Sequence, residues 1–362
     1  VEYFDRRNKD LLFDVILPIT AGATSTGGTN PSITQNIGTM SNRGVEIETD
    51  FDIVRTKDVR LNIFANATFL KSKILSLPEQ NRKEGIVDGT KRYVEGGDRY
   101  AYWLYQFAGV DQMTGLSLYK FDDERFYITD DNTATGNVIY GTAKDEEGNA
   151  HTLMSGTNYT IINGEPYVWN PGSYGKKDWS GTATPTVYGS FGLNFSWKGL
   201  SLSTIFTYGL GAKVYDGIYA GKMGVSANPG SVHEDNLYAW TEAPAGMTET
   251  SPDRIDPNGI PMNYTFSTYN DVSISNNAGT STRWLVSGNY LVVKNIALSY
   301  ALPKRWLTPL QIQGLSITAS GENLFTFAAR KGLNPQYSFG GVTSTNTFVT
   351  ARVFTAGINV KF

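Results

Sequence analysis

Hydrophobic residues occupy every second position along the last stretch of the chain, which reads R-V-F-T-A-G-I-N-V-K-F at 352–362. The apolar positions are Phe354, Ala356, Ile358, Val360 and Phe362. This two-residue period predicts a β-strand with one apolar and one polar face. A strand of this kind that ends on an aromatic residue is typical of the closing strand of an outer-membrane barrel. An edge strand of a soluble β-sandwich has the same alternation, so this segment alone leaves both interpretations open.

The alternation recurs along the chain. It is found at 45–53, 59–69, 187–197, 200–208, 296–300 and 315–319. Aromatic residues lie near the ends of some of these segments, as at Trp197 and Tyr208. Aromatic girdles at both membrane interfaces are a feature of transmembrane barrels. The pattern therefore predicts an all-β protein and favours a membrane-spanning sheet.

The polar side of one strand is acidic, with Glu46, Glu48, Asp50 and Asp52 on alternate positions. Four carboxylates on one face cannot lie in a packed core, because an unpaired buried carboxylate is very costly. They face bulk solvent in a sandwich and the lumen in a wide barrel. We treat these four residues as lumen-facing candidates. For each single residue, the simpler interpretation is a solvated position on the barrel wall without a specific role.

Connections between the predicted strands are alternately short and long. The short ones are 55–58, 198–199 and 302–309, and the long ones are 13–34, 72–185, 211–282 and 330–349. Outer-membrane barrels have this organisation, with tight periplasmic turns and large outer loops. The pattern predicts eight antiparallel crossings, with the chain end on the periplasmic side. An optional further pair lies at 101–110 and 116–121.

Composition narrows the classes of function. The 362 residues carry a net charge of −3 and no cysteine. Near-neutral charge makes nucleic acid an unexpected partner, and the lack of cysteine excludes disulfides and thiolate metal sites. No apolar run reaches the roughly 18 residues of a membrane helix. The sequence opens without a signal peptide, so we expect either a mature form or, in preference, the later part of a longer polypeptide.

Signals of catalysis and metal binding are weak. His151 and His233 lie in different long loops, and His233 lacks the second histidine of a zincin motif. The stretch G-I-Y-A-G-K at 217–222 is one residue short of a phosphate-binding loop. Asp253, Asp256 and Asn258 offer oxygen ligands for calcium, but an exposed turn is the favoured interpretation. We expect a protein that is not an enzyme and that holds neither metal nor cofactor.

Aromatic side chains in the long loops are the best candidates for ligand or partner contact. They are Trp169, Tyr174, Trp179, Tyr238 and Trp240. Such side chains stack on sugar rings or pack against peptide side chains, because they bury large flat apolar areas at a low entropic cost. Packing of the loops against one another, or against a partner, is the competing interpretation.

Several motifs together resemble the C-terminal part of the SusC/RagA-type TonB-dependent transporters of Bacteroidetes outer membranes. They are N-I-G-T-M-S-N-R-G-V-E-I-E at 36–48, F-A-G-V-D-Q-M-T-G-L-S-L-Y at 107–119, F-T-Y-G-L-G-A-K-V-Y-D-G at 206–217, Y-L-V-V-K-N-I-A-L-S-Y-A-L-P-K at 290–304, S-G-E-N-L-F-T-F at 320–327, K-G-L-N-P-Q at 331–336 and the final strand. The likeness covers essentially the whole chain.

The resemblance implies a 22-stranded plugged barrel, of which residues 1–362 would supply the last eight to ten strands. The plug and the TonB box would lie outside this chain. It implies active import of oligosaccharides or oligopeptides, energised by the TonB complex through the plug. The implied surroundings are a SusD/RagB-like surface lipoprotein, docked on loops 73–185 and 211–282, and the lipid and lipopolysaccharide of the outer membrane. A complete smaller porin and a soluble β-sandwich adhesin are the alternatives.

Overall fold

Eight long strands form the framework of the protein in a computed structural model. The structure describes residues 1–16, 32–130, 141–144, 150–153, 159–172, 174–223, 231–262, 267–269, 272–274, 280–337, 340–344 and 350–362. The long strands are β1 (Glu2–Ile16), β2 (Ser32–Arg55), β3 (Val59–Ser76), β4 (Val187–Trp197), β5 (Leu200–Leu210), β6 (Tyr290–Ala301), β7 (Gly314–Phe327) and β8 (Val353–Lys361).

These strands build one antiparallel sheet in which chain order and spatial order are the same, from β1 to β8. Each strand pairs with its sequence neighbours, so the sheet is a meander. The eight predicted antiparallel strands are confirmed. The sheet is open, because β1 and β8 are its two edges. The short connections lie at one end of the strands, and the described parts of the long connections follow the other end.

The optional ninth and tenth crossings are not part of this sheet. Residues 101–110 and 116–121 contribute instead to the short strands Ala101–Tyr105, Phe107–Asp111 and Ser117–Lys120. These strands belong to separate small sheets. They have four or five residues, whereas a membrane-spanning strand needs about nine to eleven.

The long connections hold the other regular elements. Within 77–186 the strands are Ile86–Asp88, Lys91–Tyr93, Ala101–Tyr105, Phe107–Asp111, Ser117–Lys120, Tyr127–Asp130, Gly141–Lys144, Ala150–Leu153, Tyr159–Ile162, Glu165–Val168 and Lys177–Thr182. Within 211–289 they are Lys213–Tyr215, Ile255–Asp256, Ser267–Tyr269, Val272–Ile274 and Leu285–Ser287. The α-helices are Gly217–Met223 and Lys304–Leu307, and the 3-10 helices are Glu79–Asn81, Glu234–Tyr238, Thr282–Trp284, Thr308–Leu310 and Pro335–Tyr337. None of the described helices has both the length and the apolar character needed to cross a bilayer.

The hydrophobic core of the described residues lies mainly in the long loops rather than in the long sheet. One cluster contains Tyr102, Leu104, Tyr215, Met223 and Trp284. Two others are built around Tyr119 and Trp169. In the long sheet, by contrast, large apolar side chains stay exposed, as for Phe354 and Ile358, which are 77% and 71% exposed. A sheet that leaves its apolar face uncovered needs an apolar surrounding to bury it.

Candidate functional site

One face of the long sheet is an apolar surface made of the alternating residues. Val187–Trp197 of β4 pairs residue for residue with the segment of β3 from Val59 to Phe69. This register sets Leu193 opposite Ile63 and Trp197 opposite Val59. On the next strand, the Phe206 ring stacks on the Phe191 ring with centroids 5.0 Å apart. The apolar parity therefore continues from strand to strand.

The height of this apolar surface matches a membrane. The paired segments of β3 and β4 each cover eleven residues. Ten steps of about 3.3 Å span about 33 Å along a strand. A tilt of about 40° reduces this to about 25 Å, which is the usual apolar height of an outer-membrane barrel.

The opposite face carries a ladder of polar side chains across four strands. Arg60 Nη2 lies 3.2 Å from Asp52 Oδ1. The Asn62 amide donates to Asp50 Oδ1 at 2.6 Å. Asn194 Nδ2 donates to Asn62 Oδ1 at 3.4 Å, and the Ser203 hydroxyl donates to Asn194 Oδ1 at 2.8 Å. Of these residues, Asp50, Arg60, Asn62, Asn194 and Ser203 line a concavity of about 520 Å³.

The four acidic candidates all lie on this polar face. Glu48 is opposite Asn66, and Asp52 is opposite Asn62. Asp50 and Asp52 take part in the ladder, and all four acidic residues are exposed. Their direction agrees with a lumen-facing position. Contact with a lumen or a plug stays a prediction.

At the other end of the strands, the long connections pack into a single assembly. We call the described parts of 77–186, 211–289 and 328–352 the loop cap. The Tyr102 hydroxyl donates to the carbonyls of Lys213 and Gly341, so it joins all three connections. Tyr215 N donates to Gly341 O at 2.8 Å, and Thr343 N donates to Tyr215 O at 3.0 Å.

The aromatic candidates fall into two groups in the loop cap. Trp169 is only 6% exposed and packs with Leu116, Leu118 and Ile162. The Trp240 indole donates to Gln112 O at 2.8 Å, which fixes the ring inside the cap. Both tryptophans pack loops together in this conformation.

The other three candidates differ in exposure. The Tyr174 ring packs on Phe126 with centroids 5.2 Å apart. Trp179 is 42% exposed beside Trp103, and Tyr238 is 77% exposed. The five candidates therefore differ in exposure and in the residues that they pack against. Their part in binding a ligand or partner stays a prediction, and Trp179 and Tyr238 are the most accessible of them.

The structure also shows a cleft of about 780 Å³ in the loop cap that the sequence did not reveal. It is lined by charged and aromatic side chains that include Glu84, Arg92, Trp103, Tyr105, Glu124 and Lys177. Lys177 Nζ lies 4.4 Å from the centre of the Tyr105 ring. Burial lowers the pKa of Lys177. In the sequence, the basic and aromatic residues at 91–94 and 102–105 are the feature that could have indicated such a cleft.

The weak chemical motifs have structural explanations. Asp256 Oδ1 accepts the Asn258 N–H at 2.9 Å, so this stretch forms a turn. The His233 ring accepts the N–H of Asp235 at the start of a 3-10 helix. Residues 217–222 lie in the helix Gly217–Met223. The described residues contain no cluster of three or more His, Asp or Glu side chains able to hold a metal ion.

Comparison with known proteins shows which proteins this chain is similar to. No family model matches the chain. TonB-dependent receptor P39 of Formosa agariphila is 24% identical over 347 residues, which cover 93% of this chain and 30% of that protein. The TonB-dependent receptor SusC of Bacteroides thetaiotaomicron is 23% identical over 366 residues, which cover 100% of this chain and 30% of SusC. The chain is thus similar along almost its whole length to one part of TonB-dependent receptors, SusC among them.

Solved structures give the same result for the fold. A structure of the RagAB peptide transporter matches with a TM-score of 0.63 and 23% identity, over 99% of this chain and 33% of that chain. The long sheet thus has the fold of one part of a larger transporter barrel. The chain spans about 30% of the length of the curated relatives it matches.

Proposed function

We propose that this chain supplies wall strands and outer loops to a SusC-type TonB-dependent importer of the bacterial outer membrane. Residues 1–362 are then part of its transmembrane barrel domain. The observation that carries the proposal is the two-faced sheet, which is apolar over about 25 Å on one side and polar on the other. The SusC-type relatives support it.

The open sheet disfavours both alternatives. A complete eight-stranded porin would pair its first and last strands, but β1 and β8 are separate edges. A β-sandwich would cover the apolar face with a second sheet. In the described residues, Phe191, Leu298, Ile317 and Ile358 remain exposed instead.

In this proposal the loop cap lies outside the cell and the short connections lie in the periplasm. The chain end after β8 is then periplasmic. Substrate is captured at the cap under a SusD-like surface lipoprotein. TonB acts on a plug outside this chain to open the lumen. The cargo is an oligosaccharide or an oligopeptide, and this chain performs no covalent chemistry.

Site-directed spin labels on β4 test the proposal. Labels at Phe191, Leu193 and Phe195 are expected to sense acyl chains, since these residues share the apolar parity. Labels at Ser190, Asn194 and Ser196 are the matched control on the same strand and are expected to be hydrated. Equal hydration of both sets would remove the membrane wall and the importer with it.

Docking of the lipoprotein has its own test. Leu237 and Tyr238 are 85% and 77% exposed in the loop cap, which suits a partner contact. Point substitutions are preferable to deletion of residues 221–275. Such a deletion would disrupt the cap itself, because Ile255–Asp256 pairs with Val110 and Asp111. The Leu237→Ser and Tyr238→Ser double variant is expected to lose the co-purifying lipoprotein. Val87→Ser, at a residue 54% exposed elsewhere in the cap, is the control. Unchanged recovery of the complex would exclude this docking surface.

A further inference from the structure

The ends of the strands opposite the loop cap form a continuous surface, which we call the short-connection rim. It consists of residues 55–58, 198–199, 302–313 and 361–362. Backbone hydrogen bonds join these segments in order. Lys198 N donates to Asp58 O at 3.2 Å, and Ala301 N donates to Gly199 O at 2.8 Å. Gln313 N donates to Lys361 O at 2.8 Å.

The charged residues of the rim are mostly cationic. Its cationic residues are Arg55, Lys57, Lys198, Lys304, Arg305 and Lys361, and Asp58 is its one acidic residue. The whole chain is net negative at −3, so the basic charge is concentrated at this end. Arg55 lies 3.7 Å from Asp52. In the described part of the chain, the other five cations are exposed and make no ion pair with a carboxylate.

Exposed aromatic side chains alternate with these cations. Lys198 Nζ lies 5.9 Å from the centre of the Trp197 ring, and Arg305 Cζ lies 5.8 Å from that of Trp306. Trp197 is 48% exposed and Trp306 is 53% exposed. Trp197 continues the apolar row of the sheet, because it is paired with Val59 and Leu200. Lys198, which follows Trp197 directly, therefore lies at the border of the apolar surface.

We propose that the short-connection rim binds the headgroups of anionic phospholipids, with phosphatidylglycerol as the test ligand. Basic residues are attracted to anionic lipid surfaces, and tryptophan prefers the boundary between acyl chains and headgroups. An acidic soluble protein would explain the charge alone. It would not explain tryptophans placed at the border of the apolar face. The inference rests on the membrane wall proposed above and assigns the rim to the phospholipid leaflet.

Lipid binding by the intact transporter tests the proposal. The protein is extracted from its own outer membrane, and phosphatidylglycerol retention is counted by native mass spectrometry, with phosphatidylcholine as the neutral comparison. The variant Lys198→Gln, Lys304→Gln and Arg305→Gln removes three rim charges. The control variant Lys83→Gln, Lys120→Gln and Lys331→Gln removes three exposed charges in the loop cap. We expect the rim variant to bind phosphatidylglycerol about tenfold or more weakly, and the control to bind like the parent protein.

Other outcomes would overturn the proposal. Equal phosphatidylglycerol binding by both variants would remove the rim as a lipid site. Loss of bound lipopolysaccharide from the rim variant, with phosphatidylglycerol unchanged, would assign the rim to the opposite leaflet. If the triple variant fails to assemble, the single variants Lys198→Gln and Lys304→Gln are measured instead, and unchanged binding by both would have the same meaning. The spin-label experiment on β4 tests the membrane wall separately. Equal hydration of both sets of labels would refute the wall, whereas unchanged phosphatidylglycerol binding would refute only the role of the rim.

Discussion

The Arg254 guanidinium forms a two-point salt bridge with the carboxylate of Asp111. Nε lies 2.8 Å from Oδ1, and Nη2 lies 2.9 Å from Oδ2. The two residues are 143 positions apart and belong to different long connections. The side chain of Asp111 is 1% exposed, and it also accepts the N–H of Met113 and the hydroxyl of Thr114. One buried carboxylate thus holds a turn and joins two parts of the loop cap.

Replacement of Arg254 with alanine is expected to loosen the loop cap. The change leaves the buried Asp111 carboxylate without its cation, which costs about 3 kcal/mol or more. Hydrogen exchange is expected to speed up at 108–118 and 250–260, while β4 and β5 stay protected. Arg82→Ala, which breaks the exposed pair with Glu95, is the control and is expected to have little effect. Equal exchange in both variants would show that the buried pair does not hold the cap.

A single added methyl group at Gly115 is expected to displace Trp240. Gly115 has φ +72°, and a Cβ there would overlap the indole ring. Positive φ alone costs alanine about 1 kcal/mol, and overpacking adds about 2 kcal/mol. Gly96→Ala is the control, because Gly96 has φ +80° with nothing within 4 Å of the added carbon. Tryptophan fluorescence and thermal unfolding are expected to change clearly more for Gly115→Ala. A similar change in both would assign the whole effect to the backbone.

The long sheet was predictable because each of its faces meets a different surrounding. The alternation at 187–197 and 200–208 corresponds to the strands Val187–Trp197 and Leu200–Leu210. Boundaries were less accurate where strands extend toward the long loops. The long connection predicted at 211–282 extends further, and β6 begins only at Tyr290, because Leu285–Ser287 pairs with Lys213–Tyr215 instead. Alternation identifies a strand but does not identify its partner.

The interior of the loop cap could not be predicted in the same way. Its contacts join residues far apart in sequence, such as Tyr102 and Gly341, with no repeating pattern between them. Trp169 illustrates the difficulty, since its residue type suits both ligand stacking and core packing. The structure places it in a buried cluster. Which aromatic residue remains exposed depends on tertiary packing that one sequence does not encode locally.

Replacement of Lys91 with methionine is expected to change how stability depends on pH. Lys91 is 6% exposed, and burial lowers its pKa to about 7, although Asp98 acts in the opposite direction. Between this value and the ordinary lysine value of 10.5, the unfolded chain binds more protons than the folded one. Stability therefore rises with pH across that interval. Thermal unfolding measures this difference. Between about pH 7 and 9.5, the free energy of unfolding of the parent protein should rise by on the order of 2 kcal/mol relative to that of Lys91→Met. Parallel pH profiles would show that Lys91 keeps its charge in the cap.

Substitution with arginine at two neighbouring positions of β4 is expected to impair assembly at one position and to be tolerated at the other. Leu193 lies in the middle of Val187–Trp197 on the apolar parity, and Asn194 lies on the polar ladder. An arginine at the mid-height of a lipid-facing surface costs about 2–4 kcal/mol, so Leu193→Arg should reduce the amount of folded protein in the outer membrane. Asn194→Arg loses two hydrogen bonds but keeps its charge in water, so it should assemble close to normally. Heat-modified mobility on gels and protease resistance of outer-membrane fractions measure the difference. Because the two sites share one strand and nearly one depth, equal assembly of both variants would mean that the two faces meet the same surroundings, and the wall assignment would be wrong.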